Sequence, residues 1–416
     1  MSQRSSSSTS SETDGAGSGH RFPRIIGRYS KGLPGPHVLV SGGVHGNEPG
    51  GLFAVQRVLE ALDARQLPFR GSLTGLAANR AGLAAGVRYL ARDLNRNWEV
   101  AALLDLLRRD PERDLPEERE QRELLHLYAP LLADARAPLI FVDLHTTSGD
   151  GAPFACMGDV LRNRAIAFSF GIPVVLGLDE VVDGSMTGFL CDLGHIGVGV
   201  EGGQHGSPRT IRTLEATIWL ALVTAGCVAE VDVPDLIDLR RHLAEATRGL
   251  PPVIEIRHRH VVRPGDDFVM HPGFTNFQPV HARQVVAHDR KGDIRAREDS
   301  LMMLPRYQSQ GEDGFFLARE VSPLWLAVSA GLRRSRADRL VRWLPGVERD
   351  EARHDHMFVE ADRPRAVDVF HLFGYRHQRA AGERFVFTRR RPDATGIDDL
   401  PPAIRALLRA AQRAPA

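Results

Sequence analysis

The feature that most restricts the fold is a rhythm. From Pro23 to about Gly226, short apolar runs alternate with longer amphipathic segments. His37-Val38-Leu39-Val40-Ser41 reads as a buried strand. Pro49 to Leu62 then carries Leu52, Val55, Val58, Leu59 and Leu62 at helical spacing, behind a proline suited to a first helical turn. Further strands are expected at 72–77, 138–144, 154–157, 173–176 and 198–201, and helices at about 117–133 and 209–225. Continuous apolar strands are covered on both faces. The expected class is therefore α/β: a mainly parallel mixed sheet flanked by helices, followed by a small all-β domain.

The boundaries follow the texture. Residues 1–22 are Ser-rich and read as a disordered tail without the apolar core of a signal peptide. Residues 23–250 hold the α/β pattern, and Pro251-Pro252 opens a stretch of short β-type runs to about 330. Residues 331–416 are an Arg-rich extension with helices, one strand-like run (Arg384 to Thr388) and no motif. Lys plus Arg total 53 against 52 for Asp plus Glu, which gives no electrostatic footprint for nucleic acid. No apolar run approaches the roughly 18 residues of a membrane span. Lys31 and Lys291 are the only lysines, and neither stands in a phosphate-binding GxxxxGK[ST] loop. Cys156, Cys191 and Cys227 form no CxxC pair and read as buried thiols in a reducing compartment, so the cytoplasm is the expected location.

Three strand ends carry the chemistry. Gly42-Gly43-Val44-His45-Gly46-Asn47-Glu48-Pro49 places a histidine after a buried strand and a glutamate three residues later, at a helix start. In an open α/β sheet the crevice beyond the carboxyl ends of the strands is where ligands bind. HxxE alone is common, and a capping hydrogen bond or surface ion pair explains most instances. Phe141-Val142-Asp143-Leu144-His145 ends another strand at the same edge, however. His45, Glu48 and His145 would give zinc three protein ligands and an open fourth position, which is the pattern of a catalytic site. Asp143 is either a residue holding His145 or a core-facing cap. Val198-Gly199-Val200-Glu201-Gly202-Gly203 brings an acid to the same edge, suited to general acid–base work. Between these segments lies Arg88-Tyr89-Leu90-Ala91-Arg92-Asp93-Leu94-Asn95-Arg96-Asn97-Trp98, a loop whose arginines suit a carboxylate or an oxyanion. His354-Asp355-His356, with His371 and His377, reads as solvated surface, and His258 and His260 as one exposed strand face. No GxSxG elbow is present.

Together these segments resemble the succinylglutamate desuccinylase/aspartoacylase family of the zinc carboxypeptidase clan, from about Pro36 to Gly206 and more weakly to Ala318. GGVHGNEPGG is similar to its zinc motif, DLH in FVDLHTTSG to its third-ligand motif, and VGVEGGQHG to the strand of its catalytic glutamate. The resemblance implies one Zn2+ per subunit on His45, Glu48 and His145, with Glu201 as general base. By the match of RYLARDLNRNW, it implies that Arg88 polarises the scissile carbonyl while Asn95 and Arg96 hold a substrate carboxylate. HPGFTNFQPVHARQ (271–284) resembles the family's β-domain, which narrows access to small substrates. There are two departures. The family's second substrate arginine falls on Cys191, and its β-domain tyrosine falls where this chain reads Gly314-Phe315-Phe316, with Tyr307 nearby. The implied activity is amide hydrolysis of a small N-acyl amino acid or related carboxylate. A carboxypeptidase-like peptidase and a non-catalytic metal-binding module are the alternatives. The oligomeric state, a homo-oligomer included, is left open.

Overall fold

The computed structural model describes residues 21–133, 139–233, 235–335, 337–344, 346–349, 356–360, 364–375, 377–381, 384–388 and 402–413. Residues 1–20 of the Ser-rich tail, and His354 with Asp355, lie outside them. The chain opens with β1 (Ile25–Ser30) and β2 (Leu33–Gly42), returns through α1 (Gly50–Arg65) to β3 (Arg70–Ala77), and turns through α2 (Arg80–Ala85). Then come α3 (Val100–Arg108), α4 (Pro116–Ala133), β4 (Ile140–Thr147), β5 (Phe154–Met157), α5 (Leu161–Ser169) and β6 (Val174–Leu176). The short helices α6 (Leu178–Val181) and α7 (Met186–Asp192) lead to β7 (Ile196–Gln204), α8 (Pro208–Thr224) and α9 (Leu236–Ala246).

β2, β3, β4 and β7 are parallel, as the alternating pattern requires. Alternation along β2 and β4 supplies both faces of the core. Val38, Val40, Val142 and Leu144 join α1, α5 and α8 on one side, while Leu39 and Phe141 join α3, α4 and α7 on the other. β1 is antiparallel to β3, and β5 is antiparallel to β7 and parallel to β6.

After α9 the strands are β8 (Val253–Val261), β9 (Val269–Met270), β10 (Pro279–Val280), β11 (Val285–Asp289), β12 (Gly292–Arg295), β13 (Ser300–Met303) and β14 (Asp313–Glu320). β8 pairs with β6, so one eleven-stranded sheet runs in the order β1-β3-β2-β4-β7-β5-β6-β8-β14-β13-β10 and crosses the expected boundary at 251. β12-β11-β9 form a separate small sheet above it. His258 and His260 differ from expectation: their face of β8 is covered, with the His260 ring stacked on Phe315 at 5.0 Å between centroids.

The extension holds more structure than one strand-like run. It comprises α10 (Pro323–Arg334), β15 (Val347–Arg349), β16 (His356–Glu360), α11 (Pro364–Leu372), β17 (His377–Ala381), β18 (Arg384–Thr388) and α12 (Pro402–Arg413). Its four strands form an antiparallel sheet whose core includes Met357, Val359, Phe370 and Phe387. Arg333 of α10 pairs with Asp159 after β5 at 2.7 Å, both side chains being buried. α12 returns to cover α3 and α4 with Ile404, Leu407, Leu408 and Ala411. Among the described residues, no helix is long and apolar enough to cross a membrane.

Candidate active site

The parallel register builds the site. Val142 is level with Val198, Asp143 with Gly199, and His145 with Glu201. Because side chains alternate, Phe141, Asp143 and His145 point to the same face, and in β7 Gly197, Gly199 and Glu201 do likewise. Thr187 and Cys191 of α7 lie against Gly197, while Cys156 lies against Gly199 and with it lines a cavity of about 130 Å3.

His45 and Glu48 reach the same place from the turn between β2 and α1. Gly51 lets α1 start directly against β4, since a Cβ there would lie 2.8 Å from the Leu144 Cβ. Gly46 lets the turn lie on α2, where a Cβ would fall 2.0 Å from the Gly82 carbonyl carbon. Gly46 is thus set by close approach of two backbones, and Gly51 by close approach of α1 to β4.

His45, Glu48 and His145 form a buried group whose nitrogen and oxygen atoms lie within 4.8 Å of one another. His45 Nδ1 is 2.9 Å from Glu48 Oε1, and His145 Nδ1 is 3.3 Å from Glu48 Oε2. The opposite ring nitrogens are each held by an aspartate: His45 Nε2 lies 3.2 Å from Asp93 Oδ1, and His145 Nε2 lies 2.9 Å from Asp143 Oδ2. Carboxylates behind two convergent imidazoles fix their orientation, which suits a divalent ion such as zinc. The Thr146 amide donates to Glu48 Oε2 at 2.9 Å. Burial works to raise the Glu48 pKa, but the two histidines outweigh it and hold it well below the ordinary value.

Glu201 lines the cavity, and its Oε2 is buried without a hydrogen-bond partner among the described residues. Burial outweighs His145 and Arg88 and, with Glu48 and Asp143, pushes its pKa up to about 8. Arg88 donates to Asp93 Oδ2 at 3.0 Å and lies 3.6 Å from Glu48 Oε1. Asn95 accepts the Met186 amide at 2.8 Å. Arg96 lines the cavity as well but carries a partner from far along the chain: Asp313, at the start of β14, 2.7 Å away.

All seven residues singled out in the sequence therefore line one cavity. Asp93 was legible as part of the RYLARDLNRNW segment, while nothing in the sequence announced Asp313. Cys191 is buried in α7, where its thiol receives Asn163 Nδ2 at 3.1 Å and borders Gly197, outside the cavity. Tyr307 is tied to the backbone, donating to His271 O at 2.9 Å and accepting the Phe274 amide at 2.9 Å, and Phe316 lines the cavity in place of a phenol.

Residues 34–223 match the family model described as the succinylglutamate desuccinylase/aspartoacylase catalytic domain. That stretch is similar to the catalytic domain of that family. A succinylglutamate desuccinylase of Chromobacterium violaceum is 39% identical over 109 residues, which is 26% of this chain and 31% of the relative, so the match spans about a third of that protein's length. Among solved structures, a succinylglutamate desuccinylase/aspartoacylase from Rhodobacter sphaeroides aligns with a TM-score of 0.51 at 21% identity, over 70% of this chain and 87% of its own. The succinylglutamate desuccinylase of Chromobacterium violaceum aligns with a TM-score of 0.50 at 22% identity, over 70% and 86%. These two likenesses establish a common fold. The match to the family model stops at 223, while the structural alignments, over 70% of this chain, extend beyond it.

Proposed function

We propose that the protein is a zinc-dependent deacylase that hydrolyses the amide bond of a small N-acyl amino acid or related carboxylate. The observation carrying this reading is the His45–Glu48–His145 group facing one cavity with Glu201, whose buried oxygen has no hydrogen-bond partner among the described residues. The donor set fits zinc, with two imidazole nitrogens and one carboxylate converging and an aspartate behind each imidazole. When bound there, zinc would supply Lewis acidity that polarises a carbonyl and lowers the pKa of water toward about 7.

The rest is done by the chain. Glu201, on the strand beside His145, takes a proton from the attacking water and passes it to the departing nitrogen. Arg88, anchored by Asp93, presents its guanidinium to the oxygen on which charge develops. Asn95 and Arg96 form the polar wall that receives the substrate's far end. A cavity of about 130 Å3 favours small substrates over long peptides. The family match of residues 34–223 supports deacylation over peptide cleavage.

The test pairs metal analysis with turnover of N-acyl amino acids and short peptides. Hydrolysis of N-acyl amino acids with one zinc per chain is the expected result. Turnover of peptides alone would make the protein a peptidase, and tight zinc binding without any turnover would make it a binding module.

A further inference from the structure

The cavity's cations are not equally available. Three arginines line it: Arg88, Arg96 and Arg306. Arg88 is paired with Asp93 at 3.0 Å. Arg96 donates through Nη1 to the Asn95 carbonyl at 2.9 Å and through Nη2 to Asp313 at 2.7 Å. The other Asp313 oxygen takes Arg259 Nε at 2.6 Å, and Arg259 is itself anchored on the Val181 carbonyl at 2.7 Å. Asp313 therefore sits in a fork of two guanidiniums, the position a substrate carboxylate would take against Arg96. Its geometry is fixed from both sides, by the α6–α7 region through Arg259 and by the Arg96 loop. Against burial, the two arginines hold the Asp313 carboxyl below its usual range, so it stays ionised at neutral pH.

Arg306 differs. It donates to the Gly311 carbonyl at 2.7 Å, lies 5.0 Å from the Phe268 ring centre, and makes no ion pair among the described residues. No further cation comes from Cys191, which is buried in α7 away from the cavity. Asp179 is also in the wall, its Oδ1 accepting from Thr187 Oγ1 at 3.1 Å. Of the three cavity arginines, two form close ion pairs with carboxylates of the protein; Arg306 forms none among the described residues and feels Asp313 only at longer range.

We propose that Asp313 is a specificity-determining residue that stands in for a substrate carboxylate against Arg96, so that the leaving amino acid carries one carboxylate, matched by Arg306, and is not a dicarboxylic one. This rests on the deacylase reading and names the substrate class within it. A second carboxylate on the amino acid meets Asp313 across Arg96 and is repelled. The far end of the substrate is neutral.

The experiment holds the acyl group constant and varies the amino acid, with zinc-loaded full-length protein. N-acyl-alanine and N-acyl-leucine are compared with N-acyl-aspartate and N-acyl-glutamate, in acetyl and longer acyl series. The wild type is expected to favour the monocarboxylates by tenfold or more in kcat/KM. Asp313→Asn is expected to shrink that ratio at least tenfold through a lower KM for the dicarboxylates, and Arg306→Gln to raise KM for the monocarboxylates. A wild type that prefers dicarboxylates, or an unchanged ratio in Asp313→Asn, overturns the proposal. If Asp313→Asn does not fold, the wild-type ratio alone decides. If no N-acyl amino acid is hydrolysed, the deacylase reading fails and calorimetry decides the inference. Free aspartate and glutamate binding at least tenfold more tightly to Asp313→Asn than to wild type supports it, and equal binding refutes it.

Discussion

His195 gives the clearest link between the site's scaffold and a measurable stability. It sits at the turn before β7, is 5% exposed, and its Nδ1 accepts the Leu139 amide at 3.1 Å, joining the starts of the two strands that carry His145 and Glu201. Burial, aided by the Arg162 guanidinium, pushes its pKa down from 6.5 to about 4. The folded protein therefore keeps this imidazole neutral where the unfolded chain would protonate it. Stability is fully present above about pH 6.5 and falls as the pH drops toward 4, because the unfolded state binds the extra proton. From pH 7 to pH 5 the loss from this one group is about 2 kcal/mol, and the full shift is worth about 3 kcal/mol. His195→Asn keeps an acceptor near the Leu139 amide and removes the titration. Urea unfolding followed by tryptophan fluorescence at pH 7 and pH 5 isolates the effect in the difference between wild type and variant. Equal differences at the two pH values would refute the reasoning.

Other residues yield equally direct tests. Glu201→Gln should lower kcat by about 10²–10⁴-fold while zinc content, measured by atomic emission, stays near one per chain. Zinc at about 100 times its dissociation constant should stabilise the protein by about 2.7 kcal/mol in thermal melts, and His145→Ala should abolish the shift. Gly46→Ala drives a methyl group into the Gly82 backbone and should cost about 1–3 kcal/mol with weakened zinc binding, read by denaturation and by competition with a chelating dye. Arg333→Met removes the buried ion pair that Asp159 makes with it at 2.7 Å. It should destabilise by about 3 kcal/mol, seen as a lower urea midpoint and faster proteolysis of the extension.

The parallel half of the sheet was legible because its signals are local. A run such as 37–41 is apolar on both faces, and the helix after it begins at a proline; both follow from a few consecutive residues. The convergence of His45, Glu48 and His145 was legible for a related reason. Once β2, β4 and β7 are parallel neighbours, their carboxyl ends share one edge, and His45, His145 and Glu201 have no other place to go. The four-stranded sheet of the extension was not legible, because His356–Glu360 and His377–Ala381 are only five residues long and pair with Arg384–Thr388, which lies elsewhere in the sequence. His258 and His260 were misplaced for the same reason: alternation identifies a shared face, but not what covers it.

The same distinction separates the two halves of the site. The half that holds His45, Glu48, His145 and Glu201 is built from strand ends that a short motif can encode, and the glycines of GGVHGNE answer close approaches within the first 150 residues, Gly42 to the start of α1, Gly43 to the Leu83 side chain and Gly46 to the Gly82 backbone. The recognition half depends on β14, which reaches the cavity only because β8 adds to the sheet through β6 and β14 then pairs with β8. Asp313 meets Arg96 across 217 positions, and no periodicity relates the two. A loop motif such as RYLARDLNRNW can therefore be kept intact while its guanidinium is given a new partner by a distant strand. The chemistry of this cavity is set locally, and the charge of what it accepts is set by how the sheet closes over it.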